Sequence, residues 1–243
     1  MGSGGLWARA DSARGLGVLA AALASAGYSL ILAVGAVTLR GDSVVLGIAM
    51  NLLAVGPTGF LLRTVFGVQG TFDDPSLAGL PLVGGFSPLA HLAWAAVGVA
   101  ALMLSRHVRG LRLRGVGEAP DAAATLGVSP AKYQYAAVLV SGVLCGLAGA
   151  QLALGNVTLF SENMTAGRGW IAVVAVMLGR ALPLGVLLAA LLFGVAEAAG
   201  FRLQGLGLPQ QATDAAPYVV TLGALFLTTA RRRRRIRATG ATS

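Results

Sequence analysis

The sequence predicts an all-α fold: a polytopic helical membrane protein of about six or seven membrane segments with a cytoplasmic C-terminus. Three observations carry this prediction. Of the 243 residues, 56% are hydrophobic and 11% charged, where a soluble domain carries roughly 25% charge. Apolar runs approach the ~20 residues that cross the hydrocarbon core. The 35 glycines suit helices that approach closely in lipid. The whole chain, 1–243, reads as a single transmembrane domain with a polar cytoplasmic loop at 105–133.

The apolar segments are, in order, Leu16–Val37, Val44–Phe66, Leu89–Leu104, Tyr135–Leu154, Trp170–Leu178, Leu184–Ala199 and Ala215–Ala230. Trp170–Leu178 is too short to cross alone. It extends upstream through Met164, tilts, or enters the bilayer partway, and Arg180-Ala-Leu-Pro183 breaks it from its successor, because proline cannot continue an interior hydrogen-bond ladder. Gly67–Pro88, rich in Gly and Pro with Asp73 and Asp74, reads as an irregular outer loop. Gly142, Gly146 and Gly149 form a candidate helix-packing face, and Gly167 and Gly169 permit an irregular passage into the membrane. Cys145 is the single cysteine, which leaves no disulfide or metal framework. His91 and His107 lack metal-ligand spacing and read as structural or interfacial.

Orientation follows from arginine. Arg106, Arg109, Arg112 and Arg114 form one cluster directly after an apolar run, and Arg231 to Arg235 with Arg237 form another. Nucleic-acid binding is one use of such runs, but their positions fit cytoplasmic anchors under the positive-inside rule, so no nucleic-acid partner is expected. With both clusters inside, the Arg40–Ser43 turn is inside too, and thirteen of the 18 basic residues lie on that side. Met1–Gly15, with Arg9 and Arg14, then falls outside, against the rule. It is no signal peptide as it stands. An upstream segment with an odd number of crossings, absent here, explains the placement.

Between two apolar runs lies GVGEAPDAAATLGVSPAKY, Gly115–Tyr133. Pro120 suits the first helical position, Glu118 and Asp121 favour the helix start, and Gly127 suits a left-handed stop. The spacing predicts a helix over Pro120–Leu126, about 10 Å long. Ser129 and Pro130 then open the next helix. Ala122 and Ala123 share a face with Leu126, beside a polar stripe of Asp121 and Thr125. So short a helix is unstable alone. Its residues describe either a knob for a groove on another protein or a solvated connector.

Asp121-Ala122-Ala123, three residues, then Gly127 resembles the EAA-x-x-x-G loop of permease subunits from bacterial ABC importers, with Asp in place of Glu. Five ordered blocks resemble more particularly the permeases for branched-chain amino acids, simple sugars and nucleosides, above all the sugar/nucleoside branch. They are TLRGDSVVLGIAMNLLAVGPTGFL (Thr38–Leu61), LRLRGVGEAPDAAATLGVSPAKY (Leu111–Tyr133), SGVLCGLAGAQLALG (Ser141–Gly155), FSENMTAGRGWIAVVAVMLGRALPLG (Phe160–Gly185) and LLFGVAEA (Leu191–Ala198). The resemblance implies a permease subunit of the bacterial plasma (inner) membrane that moves a small polar solute inward. It implies a second permease subunit, the same or different, cytoplasmic ATPase subunits and an extracytoplasmic solute-binding protein as partners. It makes the short helix a coupling helix, with Glu118, Asp121, Ala122, Ala123, Leu126 and Gly127 meeting the ATPase. The only lysine is Lys132, and the chain has no G-x-x-x-x-G-K-S/T loop, so ATP hydrolysis is expected on another polypeptide. Relatives typically begin with additional spans, one carrying a Gly-Glu-Gly-type motif after an Asn. These have no counterpart here, and Met1–Gly15 matches an internal loop of relatives, so an upstream portion is expected to be missing.

Polar residues in spans usually face the interior. Asn51, with Thr58 seven residues later on the same face, is a candidate pathway residue, with interhelical hydrogen bonding as the other reading. Glu197, five residues before Arg202, reads as a local ion pair or interfacial anchor. Asn156, Glu162, Asn163 and Arg168 flank an outer loop, where they pass solute, dock a binding protein, or are merely exposed. An intramembrane enzyme needs a nucleophile–base pair or a metal cluster, and neither spacing occurs; no cofactor or metal is expected. An ion-coupled secondary transporter is the rival function. It would use Glu197 with Asn51, but repeated halves are not evident, and it leaves the short helix unexplained.

Overall fold

A computed structural model describes residues 3–67, 70–73, 84–156, 159–162 and 164–204. The chain divides into two compact units, 1–166 and 167–243. The expected segment Ala215–Ala230 and the second arginine cluster lie outside the described residues.

The all-α expectation holds. The first unit contains α1 (Ser3–Ala33), α2 (Ser43–Phe66), α3 (Pro88–Arg106), α4 (Val108–Glu118), α5 (Pro120–Thr125) and α6 (Pro130–Gln151). A π-helical turn extends α1 over Val34–Thr38, and another extends α6 over Leu152–Asn156. Stretches Arg14–Thr38, Ser43–Val65, Pro88–Arg106 and Pro130–Gly155 are long and apolar enough to cross a membrane.

Local chemistry explains the ends. Asp42 caps α2, its carboxylate accepting from the Val44 and Val45 amides at 2.8 and 3.1 Å. Gly67, at φ 66°, closes the same helix. Ser87 caps α3 through the Ala90 amide at 3.2 Å, with Pro88 beginning the helix. Ser129 departs from expectation: it stands before Pro130, but its hydroxyl makes no cap bond.

Helices α1 and α6 pack antiparallel. Tyr135 meets Thr38 near one end, Gly142 meets Ser29, and Gly146 meets Ala21, Ala22 and Ser25. A Cβ on Gly146 would lie 2.6 Å from the Ala21 carbonyl oxygen. The expected glycine face needs one correction, because Gly149 has open space around it while Ala150 is buried. The contact follows the i, i+4 ridge 142–146–150, which drifts round the helix and leaves position 149 to one side. Tyr28 joins α1 to α2 by donating to the Met50 carbonyl at 2.5 Å.

A small unexpected sheet joins the α2–α3 loop to the segment after α6, in which β1 (Thr71–Asp73) pairs antiparallel with β2 (Leu159–Ser161). Buried Ser87 also donates to Gln151 at 2.6 Å. His91 Nδ1 donates to the Ser87 carbonyl, 3.1 Å away, and the ring meets Phe86 edge-on.

Among the described residues, the second unit holds a helical hairpin of α7 (Arg168–Leu178) and α8 (Pro183–Gln204). Ala175, Ala189 and Phe193 form its core, flanked by Ile171, Val174 and Leu178. α7 begins at Arg168 rather than Met164 and is too short to cross, while α8 has a stretch of crossing length, Pro183–Gly200. The break between them is made by Arg180 and Ala181, both left-handed at φ 54°. Pro183 instead starts α8, where its missing amide is harmless.

Candidate functional site

The polar stretch after α3 folds as a short helical staircase. His107 ends α3 and caps α4, its Nδ1 accepting from the Arg109 amide at 3.2 Å. The corner is tight: a Cβ on Gly110 would stand 2.0 Å from the Met103 carbonyl oxygen. α4 then carries Arg109, Arg112 and Arg114 as exposed side chains, while Gly110 and Val116 are buried.

The expected short helix is present as α5, with two corrections. Glu118 belongs to the last turn of α4, separated from α5 by Ala119; only Asp121 lies in the first turn of α5. Leu126 is the residue that closes the helix, which ends at Thr125. The stop is as expected, with Gly127 at φ 76°. Its amide bonds the Ala124 carbonyl at 3.0 Å, and the Val128 amide reaches the Ala123 carbonyl at 3.1 Å, the paired pattern of a Schellman ending.

The faces of α5 are divided more sharply than the sequence predicts. Ala123 is buried against its own chain, while Asp121, Ala122 and Thr125 are exposed. Leu126 is 82% exposed at the tip. The expected common face of Ala123 and Leu126 is therefore split, because the αR geometry is lost at the cap and the chain turns away. The Arg40 turn lies at the same end of this unit as α5: Thr38, just before it, meets Tyr135 in the first turns of α6.

Asn51 and Thr58 lie on α2 and are exposed within the single chain. The Thr58 hydroxyl donates to the Ala54 carbonyl of its own helix at 2.8 Å, which leaves its lone pairs as its free function. Near the far end of α2, Glu162 approaches Arg63 at 3.8 Å. The sequence placed Glu162 beside an exposed loop but gave no partner, since it lies 99 positions after Arg63 in the chain. In the second unit Glu197 pairs with Arg168, whose Nε and Nη2 donate at 2.9 and 2.6 Å. This corrects the expected pairing with Arg202. Five residues turn an α-helix by about 140°, so Glu197 and Arg202 face different sides of α8, whereas the hairpin brings the start of α7 to Glu197. Asn156 falls in the π turn after α6, and Asn163 lies outside the described residues.

Comparison with known proteins agrees with this architecture. The chain is 35% identical over 228 residues to the guanosine ABC transporter permease protein NupQ of Bacillus subtilis, covering 86% of this chain and 72% of the relative. It is 37% identical over 230 residues to the nucleoside ABC transporter permease protein NupC of Lactococcus lactis, covering 87% and 72%. A putative glucose ABC transporter permease protein, TsgC13 of Haloferax volcanii, is 38% identical over 184 residues, covering 71% and 56%. No solved structure matches. Residues 3–228 match the family described as the permease component of the branched-chain amino acid transport system. With spans, short helix and family match in agreement, the chain belongs to that family of ABC transporter permeases and is a multi-pass membrane protein.

Proposed function

We propose that the chain is the transmembrane subunit of an ABC importer that admits a nucleoside or simple sugar across the bacterial plasma membrane. ATP is hydrolysed on separate cytoplasmic subunits. A second permease subunit completes the translocation unit, and an extracytoplasmic binding protein delivers the solute. The observation that carries this reading is α5: a one-sided helix closed by a Schellman ending, with an exposed leucine at its tip. Asp121, Ala122, Leu126 and the Gly127 turn form the surface offered to the ATPase. Ala123 anchors that surface from beneath, and Glu118 borders it from α4. Movement of α5 is then passed directly into α6, which begins at Pro130, as a rigid-body displacement of packed helices. The names of the nucleoside and glucose permeases matched above support the solute class.

In vesicles containing the chain with its partner permease, ATPase and binding protein, solute uptake is expected to require ATP. Uptake driven by a proton or sodium gradient without ATP would overturn the proposal in favour of a secondary transporter.

Asn51 and Thr58 are proposed to line the solute path from one face of α2. A lost hydrogen bond to solute is worth about 0.5–1.5 kcal/mol. Asn51→Ala is therefore expected to slow uptake by roughly three- to tenfold with unchanged assembly. Wild-type uptake by a fully assembled variant would remove Asn51 from the path.

A further inference from the structure

Two helices of the first unit meet at a corner rich in arginine. Arg106 ends α3, and Arg109, Arg112 and Arg114 follow on α4, all of them exposed. Glu118 is the one acid between positions 106 and 118. The depth of this cluster follows from the length of α3. Pro88–Arg106 has 19 residues, a rise of about 28 Å, against a hydrocarbon core of about 30 Å. Arg106 therefore stands where the core gives way to headgroups. Gly110 holds α4 at the same level, because a Cβ on it would collide with the Met103 carbonyl and the Leu104 Cα in the last turn of α3. Arg112 and Arg114 follow closely, at most about 3 and 6 Å farther along the axis. The headgroup layer is about 5–8 Å deep, so both stay within it.

The faces of α4 sort by successive turns of about 100° per residue. Gly110, Leu113 and Val116 fall on the side turned to the protein: Gly110 and Val116 are buried and Leu113 is half-buried. Val108 and Leu111 fall on the other side and are 61% and 70% exposed. Gly115, beside them on that face, has open space within 4 Å. Arg112 and Arg114 border this strip, one on each edge. We infer that the outer face of α4 docks anionic phospholipid headgroups and so steadies the start of α5. A solvated connector gains nothing from an outward valine and leucine. An apolar strip edged by arginines matches a bilayer surface, where the strip reaches toward the acyl boundary and the guanidiniums meet phosphates. The arginine fork donates two parallel hydrogen bonds to such a group. A zwitterionic headgroup offers the same phosphate but brings its own cation. Orientation of the spans needs only the number of arginines on one side; a docking surface needs them arranged about the apolar strip, as they are here. The consequence reaches α5 through one residue. The Ala119 amide donates to the Gly115 carbonyl at 2.9 Å, and the Ala119 carbonyl accepts from the Ala123 amide at 3.0 Å. Headgroups bound along α4 thus fix the platform from which α5 projects. The effect on α5 rests on the importer reading above; the lipid surface does not.

Binding is read on the complete transporter in detergent, by native mass spectrometry with phosphatidylglycerol and phosphatidylcholine. Wild type is expected to retain phosphatidylglycerol preferentially. Arg112→Gln combined with Arg114→Gln should weaken that preference about thirtyfold, at about fivefold per arginine. Arg112→Lys combined with Arg114→Lys should keep most of it, because the charge remains. An unchanged preference in the glutamine variant, or displacement of the lipid by inorganic phosphate, would overturn the surface. So would loss of ATPase co-purification in that variant, because α4 would then be meeting protein. For the effect on α5, ATP-driven uptake is compared in vesicles of phosphatidylcholine alone and of equal parts phosphatidylcholine and phosphatidylglycerol. Wild-type uptake should rise with the anionic lipid, and the glutamine variant should not respond. Equal wild-type uptake in both compositions would overturn the steadying of α5. No ATP-driven uptake in either would instead refute the importer reading, and the mass measurement would still decide the lipid surface.

Discussion

Leu126→Arg is expected to abolish ATP-driven uptake while the chain still inserts and folds. Leu126 is 82% exposed, so its side chain contributes little to the fold of the single chain. On a partner surface it would be buried, and full burial of a leucine is worth about 1.5–3 kcal/mol. Arginine forfeits that term and forces a charge into an apolar contact, which costs more unless the charge is paired. Together these predict a loss of ATPase association of at least a hundredfold, on the order of 3 kcal/mol. Co-purification of the ATPase with the variant measures this directly. Association equal to wild type would refute the docking role of α5. Leu126→Ala keeps the backbone and removes only the apolar side chain, so it should fall between the two. A solvated connector would tolerate both changes.

This prediction depends on how much of α5 was legible in its residues. Pro120 and Gly127 marked its ends because each acts through its own backbone: proline through a fixed φ, glycine through access to the left-handed region. Which alanine faces the protein was not legible, since Ala122 and Ala123 are chemically identical and only the packing of α4 and α6 distinguishes them. Membrane spans were legible for a similar local reason, as continuous apolar length is a property of one segment. The start of α3 was a little late, because Pro88 and its capping Ser87 lie before the apolar run, whereas Pro130 was legible as the first residue of α6.

The polar pairs were harder to foresee. Arg168 meets Glu197 because a hairpin folds between them, and that hairpin turns on two left-handed residues that are not glycine, Arg180 and Ala181. Nothing in their side chains prefers that conformation. Glu162 meets Arg63 through a ladder of three-residue strands, too short to show a two-residue alternation. Asp42, by contrast, caps α2 through its immediate neighbours alone, accepting from the Val44 and Val45 amides, a contact that needs no folding partner.

The other large effect is expected at the seam between α1 and α6. Gly146→Leu should prevent the first unit from folding as described. A single Cβ at this position already meets the Ala21 carbonyl at 2.6 Å, the Ser25 Cβ at 2.8 Å and the Ala22 Cα at 2.9 Å. Two of these are backbone atoms, so no rotamer change relieves the clash and α1 must move as a body. Overpacking a well-filled interior costs about 1–3 kcal/mol for modest insertions, and a leucine adds three further carbons beyond the Cβ. Gly146→Ala should therefore cost roughly 1–3 kcal/mol, and Gly146→Leu more. Gly142→Ala should also be destabilising: the Ser29 hydroxyl it meets can rotate away, but the Ser29 Cβ at 2.6 Å is fixed to the α1 backbone. Gly149→Ala supplies the contrast. It has open space within 4 Å, and alanine in a helix interior is favoured over glycine by about 0.5–1 kcal/mol. Thermal unfolding of the purified variants in detergent should place Gly149→Ala as the most stable, Gly142→Ala and Gly146→Ala below it, and Gly146→Leu last. Equal midpoints at 146 and 149 would mean that α1 does not lie on the 142–146–150 ridge, since only that contact makes one glycine indispensable and its neighbour three residues later replaceable.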